Sequence, residues 1–157
     1  MYMKKFVLIL IMCIAFVNVN AQNIYQGNST MSSDIVFNFK SGRGSGYLYE
    51  GRSNMSSDII VTFDGSHLYV GRSNMRNDIF ATWYKNKLYR GNSTMSKDII
   101  GIYDNGKFYK GNSKMLSNLI ATYRNNKVYR GNSCFSSDII FCTSYYLHPA
   151  IISFILF

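Results

Sequence analysis

The feature that most constrains this chain is its period. A Tyr-x-Gly triplet closes at Gly27, Gly51, Gly71, Gly91, Gly111 and Gly131; the first interval is 24 residues and each later one is 20. A fixed period of this size marks a repeat architecture, in which each unit is one supersecondary element that hides its apolar face only against its neighbours. Each unit has three parts. An opening polar loop such as GNSTMSKD leads into a short run rich in β-branched and aromatic residues, such as IIVTF or IFATW. A turn and a return run follow, as in DGSHLY or DNGKFY. Runs of that composition favour strands.

The turns identify the unit as a β-hairpin. Asn105-Gly106 between two apolar runs suits a two-residue type I′ turn, because both central residues need positive φ. Gly65-Ser66 fits the related II′ turn, and Asn125-Asn126 tolerates the same backbone as Asn105-Gly106. This register places Tyr103 opposite Phe108, Ile102 opposite Tyr109 and Gly101 opposite Lys110. Simple alternation then predicts an apolar face of Ile99, Gly101, Tyr103 and Phe108 and a second face of Ile100, Ile102 and Tyr109. The small residues Val61, Ala81, Gly101 and Ala121 recur at the middle of the apolar face and predict a crowded point. Phe37 and Phe141 take that slot in the outer units.

The loop must set each hairpin beside the last. Its Gly permits a bend that a side chain would obstruct. Its Ser and Asp can satisfy backbone N–H groups outside the ladder. Met31, Met55, Met75, Met95 and Met115, with Phe135 in the same slot, are expected to be buried plugs, each contributing about 1.5–3 kcal/mol. Residues 22–27 supply only a return strand, and 132–143 only a loop and a first strand. If these halves pair, they complete a sixth hairpin and remove the sheet edges. The fold class is therefore all-β, with tandem 20-residue hairpins in a closed or radial, flower- or propeller-like arrangement. A β-solenoid is the alternative.

Outside the repeat lie two segments. Residues 1–21 carry Lys4 and Lys5, an apolar run from Phe6 to Val17, and small residues at Val19 and Ala21, which read as a signal peptide cut near Ala21/Gln22. An uncleaved anchor is the alternative, although the run is short for a membrane span. The expected location is secreted, periplasmic or cell-surface, without a transmembrane span after cleavage. The repeat strands, about six residues, fall short of the roughly 9–11 that cross a membrane as a barrel. Residues 22–143 form the repeat domain, and 144–157 an aberrant apolar tail holding Pro149, the one proline.

Loss of Lys4 and Lys5 reduces the 17 basic side chains to 15 against 8 acids, a net charge of +7. On an exported protein this favours acidic partners such as an anionic glycan or another envelope polymer. The basic residues are dispersed rather than in runs, so no nucleic-acid partner is expected. The opposing reading is that they solvate strand ends. Cys134 and Cys142 leave a disulfide and two free thiols equally open, and no metal-ligand spacing is present.

The repeated Tyr-x-Gly-Asn-Ser and Asp-Ile-Ile blocks, over residues 25–142, resemble the small exported bacterial repeat proteins called 4-fold beta flower proteins. That resemblance implies an all-β radial arrangement of hairpins with no assigned activity. MORN repeats also begin Tyr-x-Gly but carry further glycines that units two to six lack.

Tyr49, Tyr69, Tyr89, Tyr109 and Tyr129, with Tyr25 in the same slot, are candidates for an aromatic ligand platform or for packing between hairpins. Arg52, Arg72, Arg90 and Arg130, with Lys110, are candidates for an anion-binding surface, although Glu50 and Val70 interrupt the series. The loop acids Asp34, Asp58, Asp78, Asp98 and Asp138 read as local caps, since Asn118 fills the same slot. His67 and His148 have no evident nucleophile beside them, so no catalytic residue and no cofactor are assigned. The expected function is a non-catalytic binding or structural module at the cell envelope. The alternative is a polysaccharide- or peptide-directed hydrolase whose site only folding assembles.

Overall fold

The computed structural model describes residues 20–42 and 45–157. Of the expected leader, residues 1–19 lie outside the described residues. Asn20 and Ala21 belong to the first strand, where Ala21 pairs with Lys40. The strands are β1 (Asn20–Gln26), β2 (Ile35–Gly42), β3 (Ser45–Glu50), β4 (Ile59–Phe63), β5 (His67–Val70) and β6 (Ile79–Tyr84). They continue as β7 (Lys87–Arg90), β8 (Ile99–Asp104), β9 (Lys107–Lys110), β10 (Leu119–Arg124), β11 (Lys127–Arg130) and β12 (Ile139–Thr143). One helix, α1 (Pro149–Leu156), follows.

Each strand pairs antiparallel with its sequence neighbours, and β1 pairs with β12 through Tyr25 and Cys142, so the sheet closes into a barrel of six hairpins. Antiparallel pairing throughout excludes the solenoid. The two half-units at the chain ends do join, which leaves the sheet without an edge strand. Tight turns lie at one rim and polar loops at the other. Lys85-Asn86, Asn105-Gly106 and Asn125-Asn126 all have positive φ at both positions, from 47° to 80°, as type I′ turns require. Across Asn105-Gly106 the pairs are Tyr103–Phe108, Ile102–Tyr109 and Gly101–Lys110, as expected.

Alternation fails at one place in every unit. Leu68 pairs with Ala81 but Tyr69 pairs with Ile79, so Phe80 is an extra residue. The same bulge recurs in the other units. A bulge reverses which way the preceding residues point. Ile60, Phe80, Ile100, Ile120 and Ile140 therefore pack against the core. This corrects the outward placement of Ile100 expected from strict alternation.

The core is not made by the repeats alone. Leu147, Ala150, Ile151 and Ile152 of the tail are 0 % exposed and belong to the same cluster as Leu48, Leu68, Phe108 and Val128 of the barrel wall. The apolar tail is thus the barrel's filling. His148 caps α1 by accepting from Ala150 N at 3.1 Å, and Pro149 occupies a first-turn position where no N–H is needed. Leu147 N donates to Tyr123 Oη at 3.0 Å, which fastens the entry to the wall. Near the turn rim the His148 ring lies 5.1 Å from Phe63, whereas Phe154 lies 5.3 Å from Phe80 nearer the loop rim. The helix therefore runs along the lumen from one rim toward the other. The crowding at Gly101 has the same cause, since a Cβ there would overlap the Phe157 ring.

The loop residues do not plug anything. Met31, Met55, Met75, Met95, Met115 and Phe135 are 62–69 % exposed, contrary to the expected burial. Hydrogen bonds order each loop instead. Ser73 Oγ donates to Asp78 Oδ2 and accepts from Met75 N, and the 3-10 turn Arg76–Asp78 returns the chain to the sheet. Equivalent Ser–Asp bonds join Ser29, Ser53, Ser93 and Ser133 to Asp34, Asp58, Asp98 and Asp138. The acids act locally in the loop, as read from their sequence context, but by accepting from the serine hydroxyls; it is the serines that accept from the backbone N–H groups. The loops fold back over the outer wall, held by bonds such as Thr62 Oγ1 to Gly71 O, and the apolar slot faces solvent there.

Candidate functional site

The outer wall is nearly six-fold, and the break in that symmetry is where a ligand-sized groove appears. Unit one carries four extra residues within FKSGRGSGYL. They lengthen the β2–β3 hairpin, in which Ser41 pairs with Gly46 and Gly42 with Ser45. Beside it runs a row across three strands, because Tyr47 pairs with Lys40 on one side and Thr62 on the other. Gly46 is needed where the hairpin bends, since a Cβ would overlap the Lys40 carbonyl oxygen and press on the Phe39 ring.

The result is a groove of about 450 Å³ lined by Lys40, Tyr47, Tyr49, Thr62 and Asp64 among others. A second hollow of about 270 Å³ shares Tyr47 and Thr62 with it and adds Arg72, Ser73 and Asn74 from the next loop. That loop folds back over the wall because Thr62 Oγ1 donates to Gly71 O at 2.7 Å. Tyr47 is 40 % exposed and meets Tyr49 edge-on, with ring centroids 6.4 Å apart. Lys40 Nζ lies 5.5 Å from the centre of the Tyr49 ring.

At the turn end of the groove, Asp64 Oδ1 accepts from Ser66 N and His67 N, and Oδ2 accepts from Tyr69 Oη at 2.8 Å. His67 Nδ1 lies 3.2 Å from the same oxygen. Burial acts to raise the Asp64 pKa, but these hydrogen bonds outweigh it and hold the carboxyl below its ordinary value. Asp64 is therefore an ionised acceptor. It is also the one carboxylate among the described residues lining the groove. Glycoside hydrolysis of the usual kind needs two.

The predicted site residues fare unevenly. Tyr49, Tyr69, Tyr89, Tyr109 and Tyr129 are 6–9 % exposed on the outer wall, one per hairpin, so they form no open platform. Arg52, Arg72, Arg90 and Arg130 are exposed but distributed around the barrel; Arg72 alone lines the hollows described here. Lys40, Tyr47, Thr62 and Asp64 escaped the sequence reading, which sought repeated positions. The one available signal was the irregular first interval. Cys134 is exposed and Cys142 buried, both as free thiols, with Cys142 Sγ donating to Ser29 O at 2.8 Å. Burial raises the Cys142 pKa, against a smaller lowering by Lys127. Among the described residues no cluster of His, Cys, Asp or Glu could hold a metal ion.

Comparison with curated proteins and with solved structures returned no match. The profile of a family described as 6-fold beta flower protein matches residues 24–152. Its span takes in the barrel and the first half of α1, so the tail is included with the repeats. The symmetry expected from the resemblance is corrected from four to six, in agreement with six hairpins closed on themselves. The chain belongs to the 6-fold beta flower protein family.

Proposed function

We propose that this β-repeat protein is an exported, non-catalytic module that binds an anionic glycan or related acidic polymer at the cell envelope. The observation that carries the reading is the groove at the extended first hairpin. Exposed Tyr47 is shared by the groove, which holds the cation Lys40, and by the adjoining hollow, which holds the cation Arg72, among polar groups. An aromatic edge beside cations and hydroxyl acceptors suits a sugar ring bearing a carboxylate or sulfate. The turn rim on which it opens is the more basic end. Lys40, Lys85, Lys87, Lys107, Arg124 and Lys127 stand there against Asp64 and Asp104. A field of one sign raises the local concentration of an oppositely charged polymer.

The test is titration with polygalacturonate and with its methyl-esterified, uncharged form. Saturable binding of the acid form, weakened by salt and by Tyr47→Ala or Arg72→Ala, supports the proposal. Equal binding of both forms, or no binding of either, refutes it. Cell fractionation that leaves the protein in the cytoplasm would refute the envelope assignment.

A hydrolase is the second reading, and the Asp64–His67 pair is its one structural support. An Asp-bound His with its other nitrogen free could act as a base. The pair also caps a tight turn, which accounts for it without catalysis. Release of reducing ends or peptides that stops in His67→Ala would favour the hydrolase.

A further inference from the structure

Sulfur is distributed in this barrel in a way that packing does not explain. Of the eight methionines, Met1, Met3 and Met12 lie outside the described residues. The other five, Met31, Met55, Met75, Met95 and Met115, are 62–69 % exposed, and none belongs to the core cluster. Methionine is among the residue types most often buried, so five of five in solvent is a departure that the repeat enforces. The sixth loop carries Phe135 in the methionine slot, and there an exposed free thiol, Cys134, stands one residue earlier. In the other loops that earlier position is Thr30, Asn54, Asn74, Thr94 or Lys114, none with sulfur. Each of the six loops therefore presents one sulfur atom to solvent. The remaining sulfur among the described residues, in Cys142, is buried in the wall.

The loops are built so that a chemical change at these side chains disturbs nothing. Oxidation turns a thioether into a polar sulfoxide, which disrupts a core or an apolar interface. Here the methionine contributes its backbone alone. Met75 N donates to Ser73 Oγ, and Met75 O accepts from Asp78 N at 3.0 Å. The Met115 loop repeats both bonds, with Ser113 and Asn118 as the partners. Susceptibility to oxidants follows exposure. Tolerance follows from the absence of a packing role, and the same five side chains have both properties.

We propose that the loop sulfurs are a sacrificial sink for a two-electron oxidant of the hypohalous acid class. With hypochlorous acid, each thioether gives up one electron pair and gains one oxygen atom as a sulfoxide. The chlorine is reduced and leaves as chloride, with release of one proton. Cys134 follows the same balance to a sulfenic acid. A thiol-dependent sulfoxide reductase is the class of reaction that restores the thioethers. None of the six residues lines the groove at the first hairpin or the hollow beside it, so the two functions are independent.

The test is titration of the folded full chain with hypochlorous acid, mapped by peptide mass spectrometry. One oxygen is expected at each of the five loop methionines and at Cys134 before Trp83, 9 % exposed, or any tyrosine is modified. Each methionine should react within about tenfold of the rate of N-acetylmethionine added to the same tube. The oxidised protein should melt within about 2 °C of the untreated one. The two methionine sulfoxide reductases, one for each epimer, should then remove the oxygens with the barrel still folded. A variant with Met→Gln at the five positions and Cys134→Thr should keep its Tm and spare the N-acetylmethionine less than wild type does. Loop sulfurs slower than that margin, earlier oxidation of Trp83, or a fall in Tm near 10 °C would overturn the proposal. So would sulfoxides that resist the reductases in the folded protein, or equal sparing by the variant.

Discussion

If α1 is the filling of the barrel, shortening one of its buried side chains must unfold the barrel more readily than any change in the repeat loops. Ile151 is the sharpest test. It is 0 % exposed, in the first half of α1, and in one cluster with wall residues from several hairpins. Ile→Ala in a core costs about 2–5 kcal/mol, the spread reflecting how far the surroundings collapse into the space. A sheet hydrogen-bonded all the way round has little freedom to collapse, which places the cost in the upper part of that range, about 3–5 kcal/mol. For a chain of this size each kcal/mol lowers Tm by about 2–4 °C, so a fall of roughly 10 °C is expected. Urea and thermal melts followed by far-UV circular dichroism measure it, with Trp83 fluorescence as a probe inside the lumen. Tyr145→Ala, at a side chain 63 % exposed in the same tail, is the control and should stay within about 0.5 kcal/mol. A loss below about 1 kcal/mol in Ile151→Ala would refute the helix-filled lumen.

The remaining expectations follow from single features. Met75→Gln and Met95→Gln should each change stability by no more than about 0.5 kcal/mol in urea melts, because both side chains face solvent; losses near 2 kcal/mol would restore the buried-plug idea. Lys85 holds a φ of 48° at a turn position better suited to Asn or Gly, so Lys85→Asn should stabilise by up to about 1 kcal/mol by the same assay. His148 has a pKa lowered by burial from 6.5, with Phe63, Trp83, Gln22 and Tyr146 around it and no charged partner among the described residues. The unfolded chain then binds the extra proton first. Stability is complete above pH 6.5 and declines as pH falls from there to the lower folded-state value, a dependence that His148→Phe should remove from pH-resolved melts.

The candidate groove was harder to read than the fold because it depends on a departure from the repeat. Periodicity draws attention to Tyr49, Tyr69, Tyr89, Tyr109 and Tyr129, and the structure buries those same positions. Lys40, Tyr47 and Thr62 become neighbours only through the register of three strands. Their sequence separations carry no such information until the insertion in unit one is recognised as a lengthened hairpin.

Sequence alone was enough for the hairpins, their turn types and their order, and it posed the closure of β1 on β12 as a condition that the structure met. These depend on local backbone preference and on an alternation that any strand obeys. The bulge, the destination of the tail and the exposure of the loop methionines were decided by tertiary structure. None of the three follows from local alternation or composition, and the tail's destination depends on the space left in the lumen. A six-hairpin barrel is too wide for its own wall residues to fill, and Leu147 to Ile152 supply the missing volume. The loops are ordered by serine and aspartate hydrogen bonds instead of by burial, and in their apices a residue type usually found inside stands in water.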